Sequence, residues 1–198
     1  ISVNVPSFRL MAFDAQSDLG TRALRMKVIV GGALQKQTPM FAQKMTYIVF
    51  RPYWNVPHSI AVKELVPKIR KNSRYMDAED LEIVSGRGGD GARPVGATQA
   101  NLDAVVAGTM RLRQRPGPSN SLGLVKFIFP NATNIYLHGT PSQSLFQRRT
   151  RAISHGCVRV EDPVALAEWL LKDQGWTREM VEAAMDGEKP RKVNLEKP

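Results

Sequence analysis

The chain holds one cysteine, Cys157, within SHGCVR (Ser154 to Arg159). A lone thiol closes no internal disulfide, and its neighbours are small and polar instead of the Val, Ile and Leu that usually surround a core cysteine. The chemistry open to such a group is nucleophilic. A free thiol titrates near about 8.5, so at neutral pH it needs a base or cation, an orienting group for that base, and donors for an oxyanion. Two histidines are candidates. His155 stands two residues before Cys157, and His138 closes NIYLH ahead of Gly139. Residues two apart in extended backbone project from anchors about 7 Å apart and their side chains diverge, which disfavours His155. At Gly139 the backbone can approach closely and offer a carbonyl to an imidazole, so His138 is the preferred base. His155-Gly156-Cys157 offers backbone N–H donors, with Gly156 permitting an unusual conformation. Taken singly, each residue has a plainer reading: a core cysteine, a hydrogen-bonded surface histidine. The joint pattern of HGT and SHGC favours the nucleophile. His58 completes no HExxH or CxxC spacing with the other histidines, so metal binding is not expected.

The elements that must position these residues fall into three stretches. SFRLMAFD, ALRMKVIVGG and MTYIVFRPYW carry β-branched and aromatic residues at strand spacing. Thr38 is held extended by Pro39 at a turn or strand entry. After Trp54 the pattern turns helical. VPHSIAVKELVPKIRKN has Ser59 as N-cap and Pro67 as a kink, and YMDAEDLEIV and ATQANLDAVVAG are further helix candidates. Between the last two lies the glycine-rich SGRGGDGARPVG, read as a loop or hairpin tip. Residues 54–110 are therefore read as an insertion in a β domain. Strands return with LGLVKFIFP and NIYLHGT, where alternation puts Ile135 and Leu137 on one face and Tyr136 and His138 on the other. The end is helical: Asp162 and Thr177 cap, Pro163 takes a first helical position, and Gly187 follows the last helix.

The 198 residues suit one domain with an insertion, and 42% hydrophobic residues suffice for a core. No apolar run is long enough for a membrane helix. The formal charge of +10 calls for an anionic partner: nucleic acid, a membrane surface or a carboxylate-bearing polymer. Nucleic acid is disfavoured, because the basic residues form no single stripe and no aromatic-interleaved motif. The dense clusters RLRQR (Arg111 to Arg115) and QRRTR (Gln147 to Arg151) read as solvated loop faces beside the motifs.

The run YLHGTPSQSLFQRRTRAISHGCVRV closely resembles the signature of YkuD-type L,D-transpeptidases, and RQRPGPSNSLGLVKFIFPN resembles the segment that precedes it there. VPSFRL, VIVGGALQKQTPMF and FRPYWNVPHSI are similar to the larger periplasmic members, which carry a capping insertion. The resemblance implies an α+β fold: a mainly β catalytic core over 1–198, a helical capping subdomain at 54–110, and C-terminal helices. It implies a cysteine acyltransferase that cross-links peptidoglycan stems in the periplasm without a metal or organic cofactor. Cys157 would be the nucleophile, His138 the base, the Gly139 carbonyl its orienter, and the N–H groups of Gly156 and Cys157 the oxyanion donors. Ser154 and His155 would serve local geometry or substrate contact, and Arg159 a substrate carboxylate or the loop itself. Tyr136 and Trp54 are candidate pocket walls, equally readable as core. Donor and acceptor stems are the implied partners, with carbapenem acylation of Cys157 as a corollary and flanking arginines (111, 113, 115, 148, 149, 151) as guides for carboxylates. Hydrolysis of the same thioester, or a catalytically weak wall-binding module, are the rival readings.

Overall fold

A computed structural model describes residues 1–13, 22–32, 36–86 and 88–198. Asp14 of the first strand candidate, residues 33–35 of VIVGGALQKQTPMF and Arg87 of the glycine-rich stretch lie outside them. The chain forms two compact units, Ile1–Arg51 with Leu122–Pro198, and Pro52–Ser121.

The first unit begins with β1 (Ser2–Asn4), β2 (Arg9–Phe13), β3 (Arg22–Gly31) and β4 (Tyr47–Phe50). The second holds β5 (Trp54–Asn55), then a helical run from α1 (His58–Ile60) through one π-type turn (Ala61–Leu65) into α2 (Val66–Lys71). Pro67 lacks the N–H that a regular helix would use here, and the widened turn before it absorbs the misfit. The run starts at His58, with Ile60 and Ala61 N–H both donating to the Pro57 carbonyl, so Ser59 lies inside the helix and does not cap it. Next come α3 (Tyr75–Ala78), β6 (Leu81–Val84), β7 (Pro94–Val95), α4 (Gln99–Val106, capped by Thr98) and β8 (Arg111–Gln114). These strands make a four-stranded sheet in the order β5-β8-β6-β7, so this segment is mixed, not purely helical.

Two sequence expectations are corrected here. YMDAEDLEIV is helical only to Ala78: Asp80 takes a left-handed φ of 50°, and the alternation of Leu81 and Ile83 into the core makes the rest a strand. RLRQR is no solvated loop, because β8 pairs with both β5 and β6 and buries Leu112, Arg113 and Gln114.

The first unit resumes with β9 (Val125–Ile128), β10 (Leu137–His138), β11 (Ala152–Ser154) and β12 (Val158–Val160). It ends in α5 (Pro163–Leu171), α6 (Arg178–Asp186) and β13 (Arg191–Asn194), an edge strand on β4 where only helix was expected. The sheet runs β1-β2-β3-β12-β10-β9-β4-β13, with β11 also on β3. Within it β10 and β12 are parallel, and each has an antiparallel neighbour on its other side, β9 and β3. One face carries Val28, Phe127, Leu137, Val158 and Val160 into a core closed by Leu166, Leu171 and Val181 of α5 and α6. Asp162 Oδ1 accepts the Ala165 N–H and Thr177 Oγ1 the Met180 N–H, so both helices start where the sequence places their caps. Sheet and helix together make an α+β fold with a mainly β core.

Candidate active site

The site grows from the pleat of the β10–β12 pair. Leu137 pairs with Val158 and His138 with Arg159. Because alternate residues face opposite ways, the inward turn of Leu137 and Val158 sends His138 and Arg159 to the face away from α5 and α6. One residue earlier on each strand stand Tyr136 and Cys157, tied where the Val158 N–H donates to the Tyr136 carbonyl at 3.1 Å. Two strands with four residues between them thus bring together an imidazole, a phenol, a thiol and a guanidinium.

His138 is 4% exposed, and its Nδ1 lies 2.5 Å from the Gly139 carbonyl oxygen. A carbonyl only accepts, so Nδ1 carries the proton and Nε2 is the basic nitrogen. Burial pushes the imidazole down to about 4, helped by the Arg159 charge and opposed by the carbonyls of Gly139 and Leu122. Burial also pushes the Cys157 thiol up. The Tyr136 N–H, the Tyr136 hydroxyl and the Arg159 charge all favour the thiolate, but they only partly offset it. The Tyr136 phenol is itself pushed up, first by burial and then by Cys157, so it stays protonated and donates towards sulfur. At neutral pH the resting pair is a neutral thiol and a neutral imidazole. Charge on sulfur arises only as the proton leaves, and the donors that meet it are already in place.

The Cys157 Sγ lies 3.9 Å from the Asn134 carbonyl, which closes a turn built on Asn131. Asn131 Oδ1 accepts the N–H groups of Thr133 and Ile135, and its Nδ2 donates to the carbonyls of Phe129 and Ile135. Asn134 takes the left-handed conformation that asparagine tolerates.

The turn Ser154–Cys157 is held by hydroxyls. Ser154 Oγ donates to the Cys157 carbonyl at 2.6 Å and accepts the Gly156 N–H at 3.1 Å. The Gly156 N–H expected to face an oxyanion is thus engaged inside the turn, and the Cys157 N–H is the other member of that pair. Gly156 has a φ of 123°, which strains any residue with a side chain.

Of the other residues singled out from sequence, His155 is exposed on this turn and Ser154 is buried within it. The Arg159 Nε is buried without a hydrogen-bond partner. Trp54 lies in the other unit, against that unit's own apolar cluster. The arginines divide as well. Arg148 and Arg149 are exposed. Arg151 is a brace and not a solvated guide: its guanidinium donates to the carbonyls of Val28, Arg148 and Phe8. Gly123 escaped notice in the sequence. Its φ is 65°, and a Cβ there would stand 2.6 Å from the Thr140 nitrogen and 2.8 Å from the Gly139 carbonyl carbon. The signal available was a glycine inside a strand pattern, which marks close backbone approach. Among the described residues no three His, Cys, Asp or Glu side chains gather as a metal would require, and no helix is long and apolar enough to cross a membrane.

Residues 1–184 match the family model described as YkuD, the L,D-transpeptidase catalytic domain. A protein of Haemophilus influenzae named "Putative L,D-transpeptidase" is 36% identical over 177 residues, covering 89% of this chain and 34% of that protein. The chain therefore spans about a third of the relative's length. With a thiol, an imidazole and a carbonyl-oriented tautomer converging on one strand pair, and with residues 1–184 of the 198 matched by the family model, the chain belongs to the YkuD family of L,D-transpeptidase catalytic domains.

Proposed function

We propose that the chain joins peptidoglycan stems by L,D-transpeptidation, with Cys157 as nucleophile and His138 as base. The observation that most supports this is the registry that sets Tyr136 and His138 beside Cys157 and Arg159 on two parallel strands. The thiol attacks the carbonyl at the L-centre of the third stem residue and its proton passes to His138 Nε2. The carbonyl oxygen becomes an oxyanion facing the Cys157 N–H. As the C–N bond to the terminal D-alanine breaks, His138 returns the proton to the departing amine and a thioester remains. An amine of a second stem attacks the thioester and yields a proton to His138. The thiolate leaves, regains that proton, and a new amide links the stems.

Tyr136 steadies the developing thiolate, and Arg159, the cation beside it, holds a stem carboxylate. The reaction places the protein in the periplasm, and a carbapenem would acylate the same sulfur.

Intact mass after incubation with a tetrapeptide stem tests the reading. Wild type gains an acyl adduct that Cys157→Ala lacks, and dimeric peptides accumulate. Tripeptide without dimer would replace transfer by hydrolysis, and no adduct with any stem would leave a wall-binding module.

A further inference from the structure

Thr38 sits outside both motifs yet touches the catalytic turn. The Gly31 N–H, at the end of β3, donates to Thr38 Oγ1 at 2.9 Å, and Thr38 Oγ1 donates to the Gly156 carbonyl at 2.7 Å. One hydroxyl thereby joins the end of a core strand to the residue before the nucleophile. The join is tight at its base: a Cβ on Gly31 would stand 1.8 Å from the Lys36 carbonyl oxygen, so only glycine lets the chain fold back here. The next residue holds the same turn by its other end, where the Gly32 N–H donates to the Ser154 carbonyl at 3.0 Å.

The peptide unit joining Gly156 to Cys157 is planar and trans, so its carbonyl and its N–H point in opposite directions. Fixing the carbonyl fixes the N–H. The Gly156 N–H is engaged by Ser154 Oγ, and the Cys157 N–H must therefore meet the oxyanion. Glycine at φ 123° offers little resistance to rotation of that plane, so its direction depends on what grips it from outside. We infer that Thr38 is a positioning residue that aims the Cys157 N–H at the oxyanion, an inference that rests on the acyl-transfer reading of the site.

Two reagents separate this role from plain packing. Iodoacetamide alkylates sulfur by displacement and forms no oxyanion, whereas 4-nitrophenyl acetate acylates it through one. Both are followed by intact mass on wild type, Thr38→Val and Thr38→Ser, alongside stem turnover. Thr38→Val is expected to slow acetylation at least about tenfold, towards the 10²–10³-fold that outright loss of an oxyanion donor costs. Alkylation changes less than about threefold, kcat for the stem falls with KM nearly unchanged, and Thr38→Ser, which keeps the hydroxyl, restores acetylation. Equal acetylation of Thr38→Val and wild type overturns the inference. So does a parallel fall in alkylation, or a Thr38→Ser variant as slow as Thr38→Val. Wild type that is acetylated but turns over no stem sinks the transpeptidase reading instead, and the ester comparison still decides the role of Thr38.

Discussion

The turn that carries Cys157 and the glycine-rich loop after β6 are both irregular backbone held by side chains, but by opposite means. The turn is pinned by two hydroxyls: Ser154 bonds the Cys157 carbonyl and the Gly156 N–H inside it, and Thr38 reaches the Gly156 carbonyl from far along the chain. The loop is gathered by one guanidinium. Arg113 donates to the carbonyls of Gly89, Asp90 and Ala92, pairs with Glu82, and lies over the Tyr53 ring at 4.0 Å. A neutral hydroxyl grips one carbonyl and adds no charge beside the Cys157 thiol. A guanidinium reaches several carbonyls of a long loop at once, but its buried charge must be matched by a carboxylate, here Glu82. Loss of a hydroxyl should therefore register mainly in rate, and loss of the guanidinium mainly in stability.

The largest effect expected on the stability side is at Arg113. Its side chain is 3% exposed and that of Glu82 15%, so Arg113→Ala leaves a half-buried carboxylate without its cation. Breaking such a pair costs about 3–5 kcal/mol, read as a lowered denaturation midpoint. Arg113→Met with Glu82→Leu removes both charges and is expected to recover most of that stability, as buried pairs replaced by apolar residues of similar volume often do. The loop carbonyls remain unheld in the double variant, so proteolysis or hydrogen exchange at 88–96 should still accelerate. A double variant as unstable as Arg113→Ala would mean that the carbonyl contacts, not the ion pair, carry the energy.

The second effect separates the two regions by pH. His138 has its pKa pushed down to about 4 from an ordinary 6.5. Between those values the unfolded chain binds a proton that the folded chain refuses. Stability from this group is whole above pH 6.5 and is lost as pH falls towards 4, by about 3 kcal/mol. Denaturation of wild type and His138→Gln at pH 7, 5.5 and 4.5 reads it. Wild type should lose stability more steeply than the variant across that window, and Arg113→Lys should follow the wild-type slope. Parallel lines for wild type and His138→Gln would mean that the folded imidazole titrates normally.

The contrast between the two loops also explains what could be read from sequence. The pleat of NIYLHGT was legible because alternation is local, and the caps of α5 and α6 because a cap needs only its own helix. The partners of the Ser154–Cys157 turn were not, since Thr38 bonds a residue 118 positions away and Gly123 acts by its closeness to Gly139. Arg113 was misread for the same reason. A charged residue in a short run usually faces solvent, and only the pairing of β8 between β5 and β6 buries it. Edge strand β13 escaped notice because RKVN shows no apolar alternation; its backbone pairing with β4 makes the strand.

The smallest effect concerns the arginines that flank the motif, which the fold sorts into a brace and a pair of surface charges. Arg151 makes three carbonyl contacts from a position 7% exposed, so Arg151→Ala is expected to cost about 1–3 kcal/mol of stability by leaving buried acceptors unmet. Arg148 and Arg149 are exposed, and reversing both to Glu should shift stability by no more than about 0.5 kcal/mol. If they draw anionic stems towards the site, the same reversal raises KM a few-fold at low salt. The gap to wild type then closes as ionic strength rises and the Debye length shrinks to about 8 Å. Equal KM values at every salt concentration would assign the two arginines to solvent and leave the +10 charge to be explained elsewhere on the surface.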